Sequence, residues 1–341
     1  MNVGVIGCGK IAKKAHLPAY SSLENVNIIA VSDLQDKRAK SCAKKFGANK
    51  WFTDYHDLLK EDLDLVSICT PIFTHAQIAK DAAKAGINVL VEKPMATSIQ
   101  EADEMIDACR QSNVQLCIMH NYRFVPCLLD AKKRVDDGRI GRIVSIQATR
   151  YELLPMSWSH NTWFYYKWGL LEDIGIHMID VINLLNGSDV EDVKVIARDY
   201  TDNMECFNHM LIIMLFKNKV SVSLDLSWVS GCVESTLKIQ GTGGLLNIDI
   251  RNNHLQEIHG YSTPLEDIKS NSSKSFKTMR SALNKTYFKG TMLYHRQIIK
   301  DFIDSIVEGR SPPVSGEEGR KAIAVMDAIK NSLDSVFKTE S

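Results

Sequence analysis

No stretch of this 341-residue chain approaches the ~20 consecutive apolar residues that a membrane-spanning helix needs. The longest apolar runs, such as 210–216, have the length of a strand. An excess of one charge is missing too. Lys and Arg together number 41, as do Asp and Glu, so the formal net charge is zero. Proteins that hold nucleic acid by its phosphates carry a basic excess, and none is present here. Neither nucleic acid nor a membrane is therefore expected as a partner. None of the eight cysteines forms a C-x-x-C pair, which removes zinc-ribbon and thioredoxin spacings. Most of them sit in apolar runs, where free cysteine behaves as a small hydrophobe. The first residues enter an apolar strand with no basic segment and no small-residue cleavage site, so a cytoplasmic location is expected.

What is present is ordinary globular composition, 45% hydrophobic and 24% charged, in a length that suits two domains. In the first third, short apolar runs at 3–6, 27–32, 65–69, 88–91 and 115–119 alternate with helical patterns at 11–21, 37–46, 75–85 and 99–111. That alternation predicts β-α-β units around a parallel sheet. The runs are nearly all apolar because parallel strands are covered on both faces. After about residue 121 the pattern changes. A helix over 125–136 and a strand over 142–151 precede an aromatic loop at 158–168 and a helix over 170–185. Strand-like runs then succeed one another closely at 193–197, 209–216, 220–228, 236–240 and 245–250, which predicts an antiparallel sheet. A Ser- and Lys-rich segment at 262–281 reads as a surface loop or a mobile flap, and two helices at 294–308 and 317–335 finish the chain. The expected class is α/β: a domain over 1–120 with a parallel sheet, then an α+β domain over 121–341.

Gly7-Cys8-Gly9-Lys10-Ile11-Ala12 is a G-x-G-x-x-A that comes directly after an apolar strand and opens a helix. The first glycine allows a tight turn and the second lets backbone approach a pyrophosphate. The small third position lets helix pack on strand. Asp33 ends the next strand, 24 residues after Gly9, where a carboxylate can accept from both ribose hydroxyls. It repels a 2′-phosphate, so NAD is expected over NADP. Lys37 and Arg38 leave NADP open, and capping of the next helix is the plain alternative for Asp33. Thr70-Pro71 and His75 come after the strand at 65–69, and Glu92-Lys93-Pro94 after the strand at 88–91. Ligands of open α/β sheets bind beyond these carboxyl ends. A lysine there can polarise a substrate oxygen or move a proton.

Asp173 and His177 stand at i and i+4 within Asp173-Ile174-Gly175-Ile176-His177. On an α-helix they share a face, and a carboxylate beside an imidazole orients it as a general base. Metal ligation competes with that reading. No second His or Cys stands at ligand spacing on this helix, so no metal is expected. Asp180, one turn on, reads equally as a surface residue.

Taken together these motifs resemble the Gfo/Idh/MocA family of oxidoreductases. The resemblance runs from Gly7-Cys8-Gly9 through Thr70-Pro71 and His75, Glu92-Lys93-Pro94, Asn121-Tyr122-Arg123-Phe124 and Gly138-Arg139-Ile140-Gly141. It continues through Asp173-Ile174-Gly175-Ile176-His177 to Pro313-Val314-Ser315-Gly316-Glu317-Glu318-Gly319. It implies a Rossmann domain and, after it, a domain with a large, open, mostly antiparallel sheet. That sheet commonly forms homodimer or homotetramer interfaces in the family. The resemblance also implies bound NAD or NADP, and hydride transfer at a carbinol carbon of a sugar or polyol. Lys93 matches the family's catalytic lysine, His177 its proposed acid–base residue and Asp173 the partner of that residue. A cis Lys93–Pro94 bond is implied as well. Gly7, Gly9, Lys10, Ile11, Ala12, Asp33, Arg38, Thr70, Pro71, His75, Glu92 and Lys93 are the expected cofactor-side residues. Tyr122, Arg123, Trp163 and Lys167 are candidates for the substrate side.

Many family members carry several glycines before the Asp–His helix. Here Tyr166-Lys167-Trp168-Gly169 has one, which bears on substrate choice. The resemblance leaves three other readings open: a dehydrogenase of nucleotide-activated sugars, an enzyme that uses tightly held NAD for transient oxidation during glycoside cleavage, and a non-catalytic dinucleotide sensor. The sensor should have lost its lysine or its Asp–His pair, and this chain keeps Lys93, Asp173 and His177.

Overall fold

The computed structural model describes residues 1–154, 168–201, 206–260 and 286–339. The backbone divides into two compact units: Met1–Asn121 with Lys289–Ile323, and Tyr122–Phe288 with Ala324–Ser341.

The first unit is built on a six-stranded sheet. Its strands are β1 (Asn2–Ile6), β2 (Asn27–Ser32), β3 (Lys50–Phe52), β4 (Leu65–Ile68), β5 (Asn88–Val91) and β6 (Leu116–Ile118), in the order β3-β2-β1-β4-β5-β6 and all parallel. All four residues of β4 are buried, as a central strand covered on both faces requires. The connecting helices are α1 (Leu17–Ser21), α2 (Asp36–Phe46), α3 (Tyr55–Leu58), α4 (His75–Lys84) and α5 (Ile99–Gln111). A π-helical turn, Ala12–His16, leads into α1. β3 and α3 were not expected from the sequence; they are three and four residues long, too short to carry a periodic signal. The sheet gains a late edge. The Ile118 N–H donates to Val314 O at 3.1 Å and Cys117 pairs with Ser315, so the Pro-Pro segment at 312–313 delivers chain from the far end back to β6.

The second unit contains α6 (Pro126–Asp136), β7 (Ile143–Tyr151), α7 (Ile176–Asn186), β8 (Val190–Arg198), β9 (His209–Phe216), β10 (Ser221–Ser227), β11 (Glu234–Gly241), β12 (Leu245–Asp249) and β13 (His254–Ile258). The seven strands lie in the order β13-β12-β11-β7-β10-β9-β8. Only β7 with β10 is parallel among these pairs. β9 alternates strictly: Met210, Ile212, Met214 and Phe216 are buried, whereas Ile213 and Leu215 stand exposed on the opposite face. α7 is apolar on most sides, with Ile176, Met178, Ile179, Val181, Ile182 and Leu185 buried. It stops at Gly187, whose φ of +67° suits glycine. A π-helical turn, Leu171–Gly175, precedes it. Gly175 lets the turn pack closely on β10, since a Cβ there would meet the end of the Leu226 side chain at 2.8 Å. Helices α8 (Thr286–Glu308) and α9 (Gly316–Thr339) close the chain. The expected α/β class is what is found. Among the described residues no helix is long and apolar enough to cross a membrane.

Candidate active site

The loop after β1 has the geometry that its glycines predict. Gly7 has φ +91°, and a Cβ on it would lie 2.7 Å from Cys69 O. Only glycine fits. A Cβ on Gly9 would meet nothing within 4 Å, so open space lies over its bare α-carbon. Ala12 is fully buried, which explains the small residue. Lys10 is exposed and Ile11 half-buried at the start of the helix. Asp33 is tied to the same loop: its Oδ2 accepts from the Cys8 N–H at 2.9 Å. Its Oδ1 accepts from Gln35 N–H at 3.0 Å, just ahead of α2, and Arg38 reaches Oδ2 at 3.5 Å. Asp33 thus braces the turn ahead of α2 without capping that helix, whose N-cap is Gln35 with no side-chain cap, and it stands beside the glycine loop. Burial pushes the Cys8 thiol well above its usual range, so it is an inert neighbour rather than a nucleophile.

Open space at Gly9, amides at the start of a helix and an acceptor carboxylate beside them suit a dinucleotide's pyrophosphate and ribose. The residues present fit NAD. Gly7, Gly9 and the start of the helix would hold the pyrophosphate, and Asp33 the adenine-side ribose.

At the end of β4, Thr74 Oγ1 lies 2.7 Å from both Thr70 Oγ1 and Pro71 O, so Thr74 does not cap α4. His75, expected to face a cofactor, is instead buried and bridges two strand ends. Its Nδ1 lies 3.0 Å from Pro94 O and its Nε2 2.8 Å from Thr70 O. Burial pulls its pKa down, against the pull of those carbonyls. Glu92 also turns inward. Its Oε1 accepts from His16 Nε2 at 2.8 Å, and its Oε2 from the Lys93 N–H at 3.2 Å. Burial alone would raise this carboxyl. The His16 hydrogen bond, with the nearby His295 and Lys93, prevails and holds it at about 2. The Lys93–Pro94 bond is cis, as the resemblance implies, and Lys93 is half-buried.

In the second unit, Asp173 belongs to the π turn and His177 to the first turn of α7. The simple i, i+4 spacing of one α-helix is thus interrupted by a wider turn, a feature common at functional sites. The His177 imidazole stacks on Tyr122, with ring centroids 4.4 Å apart and planes at 19°. Arg150 of β7 places its guanidinium carbon 5.2 Å from the Tyr122 ring and also pairs with Glu152. Burial opposes the Arg150 charge, but Tyr122, Glu152 and Asp173 outweigh it and raise the pKa. Arg123, expected at a substrate rim, is buried and bound to Asp180: Nε donates to Oδ2 at 2.9 Å and Nη2 to Oδ1 at 2.7 Å. Asp180 is accordingly a core residue, 1% exposed, and not a surface one. Trp163, Lys167 and most of the aromatic loop lie outside the described residues, as does the segment at 262–281. Among the described residues no three His, Cys, Asp or Glu side chains gather as a metal site.

Sequence reasoning missed His16 and Arg150. The signal for His16 was available: one histidine on a stripe of Ala12, Ala15, Ala19 and Tyr20, all buried. Arg150 lies on a strand with no motif around it.

Residues 1–120 match the profile described as the oxidoreductase family with an NAD-binding Rossmann fold, and residues 128–247 match the Gfo/Idh/MocA C-terminal domain. The uncharacterized oxidoreductase YrbE of Bacillus subtilis is 34% identical over 191 residues, 56% of this chain and 55% of that protein. The match thus spans about half the length of that relative. The myo-inositol 2-dehydrogenase of Thermotoga maritima is 25% identical over 98% of this chain and 96% of its own. The solved structure of the WlbA dehydrogenase from Bordetella pertussis, in complex with NADH and UDP-GlcNAcA, aligns with a TM-score of 0.84 at 21% identity. That alignment covers 98% of this chain and 96% of that one. Fold and profiles agree on the class, an NAD-binding oxidoreductase. Within that class the chain belongs to the Gfo/Idh/MocA family.

Proposed function

We propose that the chain is an NAD-dependent dehydrogenase acting at a carbinol carbon of a sugar or polyol, with Lys93 and His177 carrying the proton chemistry. The observation that carries this reading is the Cys8 N–H bond to Asp33, which puts a carboxylate able to accept from ribose hydroxyls beside the open α-carbon of Gly9. A carboxylate so placed favours a free 2′-hydroxyl over a 2′-phosphate, hence NAD over NADP. When bound, NAD would supply the hydride acceptor for the carbinol carbon, or as NADH the donor for the reverse direction. His177 takes the hydroxyl proton as general base. The Tyr122 ring holds the imidazole plane for that task. Asp173 supplies the negative charge that favours the imidazolium formed. The Lys93 ammonium stabilises negative charge developing on the substrate oxygen. One relative is named for action on myo-inositol and one structural neighbour was solved with a nucleotide-linked sugar, which supports a polyhydroxy substrate and keeps a nucleotide-activated sugar as the second reading.

The exposed face of the second sheet fits self-association. Ile196, Ile213 and Leu215 stand exposed on neighbouring strands β8 and β9, while the other face forms the core. An apolar patch of this kind is better covered than wet. A homodimer or homotetramer through this sheet is the proposed assembly, in a cytoplasmic setting. Light scattering on an Ile213→Lys, Leu215→Lys variant should show smaller particles than the parent; equal masses would sink it.

The activity is tested by the absorbance of reduced nicotinamide, with NAD or NADP against sugars, polyols and nucleotide sugars. His177→Ala and Lys93→Met are the controls. A signal with NAD that both controls abolish is the expected result. Full activity in either control would remove that residue from the mechanism.

A further inference from the structure

Behind Lys93, wholly within the first unit, runs a buried chain of polar side chains that the proposed mechanism does not use. Tyr20 Oη lies 2.5 Å from Ser67 Oγ, which lies 3.2 Å from His16 Nδ1. His16 Nε2 donates to Glu92 Oε1 at 2.8 Å, and Glu92 Oε2 accepts the Lys93 N–H. On the other side, His295 Nε2 stands 3.9 Å from Glu92 Oε1, and the Asn121 amide donates to His295 Nδ1 at 3.2 Å. All of these but Lys93 are buried. One assignment of hydrogens satisfies the first arm throughout. Tyr20 O–H donates to Ser67, Ser67 O–H to His16 Nδ1, and His16 Nε2–H to Glu92.

The elements joined are informative. His16 closes the π turn that comes after the glycine loop. The extra residue of such a turn rotates the residues beyond it by roughly 100°, and here the histidine points inward toward Ser67 and Glu92. Ser67 is on β4, and Glu92 ends β5 immediately before Lys93. The helix that would receive the pyrophosphate is therefore hydrogen-bonded to the peptide that carries the lysine. Burying a carboxylate, two imidazoles and a phenol is costly unless each is paired, and apolar residues would fill the same volume more cheaply. A network this complete fixes atoms in place.

We infer that His16 is a positioning residue for Lys93: it holds the Glu92 carboxylate, which in turn holds the Lys93 backbone and the direction of its ammonium. The inference rests on the assignment of Lys93 to the chemistry. Charge fits it as well, since Glu92 stays ionised across the neutral range and a fixed anion lies next to the lysine.

The test compares His16→Leu, which removes the donor, with His16→Gln, which restores an amide N–H at a similar reach. His16→Leu should lower kcat about 10- to 100-fold, the usual cost of misplacing a reacting group by an ångström. The NAD dissociation constant, read by calorimetry, should move by less than about threefold, because the pyrophosphate contacts are backbone. His16→Gln should recover most of the turnover. A readout independent of turnover is the rate at which Lys93 is acylated by N-acetoxysuccinimide in protein without substrate, monitored by mass spectrometry. His16→Leu should change that rate at Lys93 and not at exposed Lys14 or Lys37. Unchanged kcat and acylation in His16→Leu would overturn the inference. So would a loss of NAD affinity that accounts for the whole effect, or a folded His16→Gln no better than the leucine variant. Should His16→Leu not fold, Ser67→Ala decides by the same readouts, with a smaller change in the same direction. Lys93→Met keeps the two readings apart. Activity in that variant defeats the role of Lys93. Its inactivity beside a normal His16→Leu defeats only the role of His16.

Discussion

Tyr122 lies almost parallel to the His177 imidazole, with centroids 4.4 Å apart, and the Arg150 guanidinium carbon is 5.2 Å from the same phenol ring. The contact links two motifs that are 55 residues apart in the chain. A ring face fixes the plane of an imidazole while leaving its edge nitrogens for proton transfer. Asp173 adds negative charge that favours the Arg150 guanidinium.

Removing that face should slow turnover without disturbing cofactor affinity. An aromatic pair contributes about 0.5–1.5 kcal/mol beyond its burial, so Tyr122→Ala should lower kcat about 2- to 10-fold. Tyr122→Phe keeps the face and should stay near the parent. Steady-state kinetics at saturating NAD distinguish the two. Equal losses in both variants would assign the effect to the hydroxyl instead.

The Arg123–Asp180 pair is a matter of stability. The Arg123 guanidinium donates through both Nε and Nη2, and the carboxylate is almost wholly shielded from water. Breaking a buried pair leaves an uncompensated charge and costs about 3–5 kcal/mol. Arg123→Ala should therefore lower the urea midpoint strongly. Arg123→Met with Asp180→Leu, which removes both charges and keeps volume, should recover much of it. Chemical denaturation monitored by circular dichroism checks both. A single variant as stable as the parent would show that the pair is solvated.

How much of the fold and site is legible in the sequence differs between the two units. Runs such as Val3–Ile6 and Leu65–Ile68 are apolar throughout, and each leads into a helical period. Local pattern alone therefore gives the parallel sheet. The glycine loop and Asp33 were legible because the positive φ at Gly7 demands glycine and the strand period puts Asp33 at the end of the next strand. The return of Lys289–Ile323 to the first unit was not legible. It depends on Val314 and Ser315 pairing with β6 across nearly 200 residues, and no local period records that. His75, Glu92 and Arg123 carry polar groups at motif positions, so they read as ligand-facing. Their burial and their partners, Pro94, His16 and Asp180, are distant in sequence and visible only in the fold. The i, i+4 reading of Asp173 and His177 assumed 3.6 residues per turn, and the π turn breaks that assumption.

Acid should weaken the fold in two stages. The folded-state pKa of His75 lies below its ordinary value, chiefly because burial opposes its charge, and Glu92 sits at about 2 against 4.5. In both cases the unfolded chain binds more protons than the folded one in the window between the two values. Stability is then fully present above the unfolded pKa and is lost as pH falls through the folded one. His75 begins to contribute below about pH 6.5, and Glu92 removes on the order of 3 kcal/mol between about pH 4.5 and 2. Urea midpoints at pH 7, 5 and 3 should fall progressively, with a shallower drop from pH 5 to 3 in Glu92→Gln. An identical acid limb in that variant would show that other carboxylates govern it.

The two glycines of the loop should separate folding from binding. At Gly7 an alanine Cβ would press on Cys69 O at 2.7 Å with φ at +91°, a conformation that costs a non-glycine residue about 1–3 kcal/mol before any clash. Gly7→Ala should thus lower the melting temperature and weaken NAD binding together. At Gly9 the same Cβ meets nothing within 4 Å, so the apo fold tolerates it. It would occupy the space over the start of the helix that a pyrophosphate needs. Gly9→Ala should therefore melt within a degree or so of the parent without ligand and lose the upward shift that NAD gives the parent. That shift measures differential binding to the folded state and vanishes when affinity is lost. Differential scanning fluorimetry with and without NAD reads both quantities in one experiment. A Gly9→Ala protein that NAD still stabilises would place the pyrophosphate elsewhere than over Gly9.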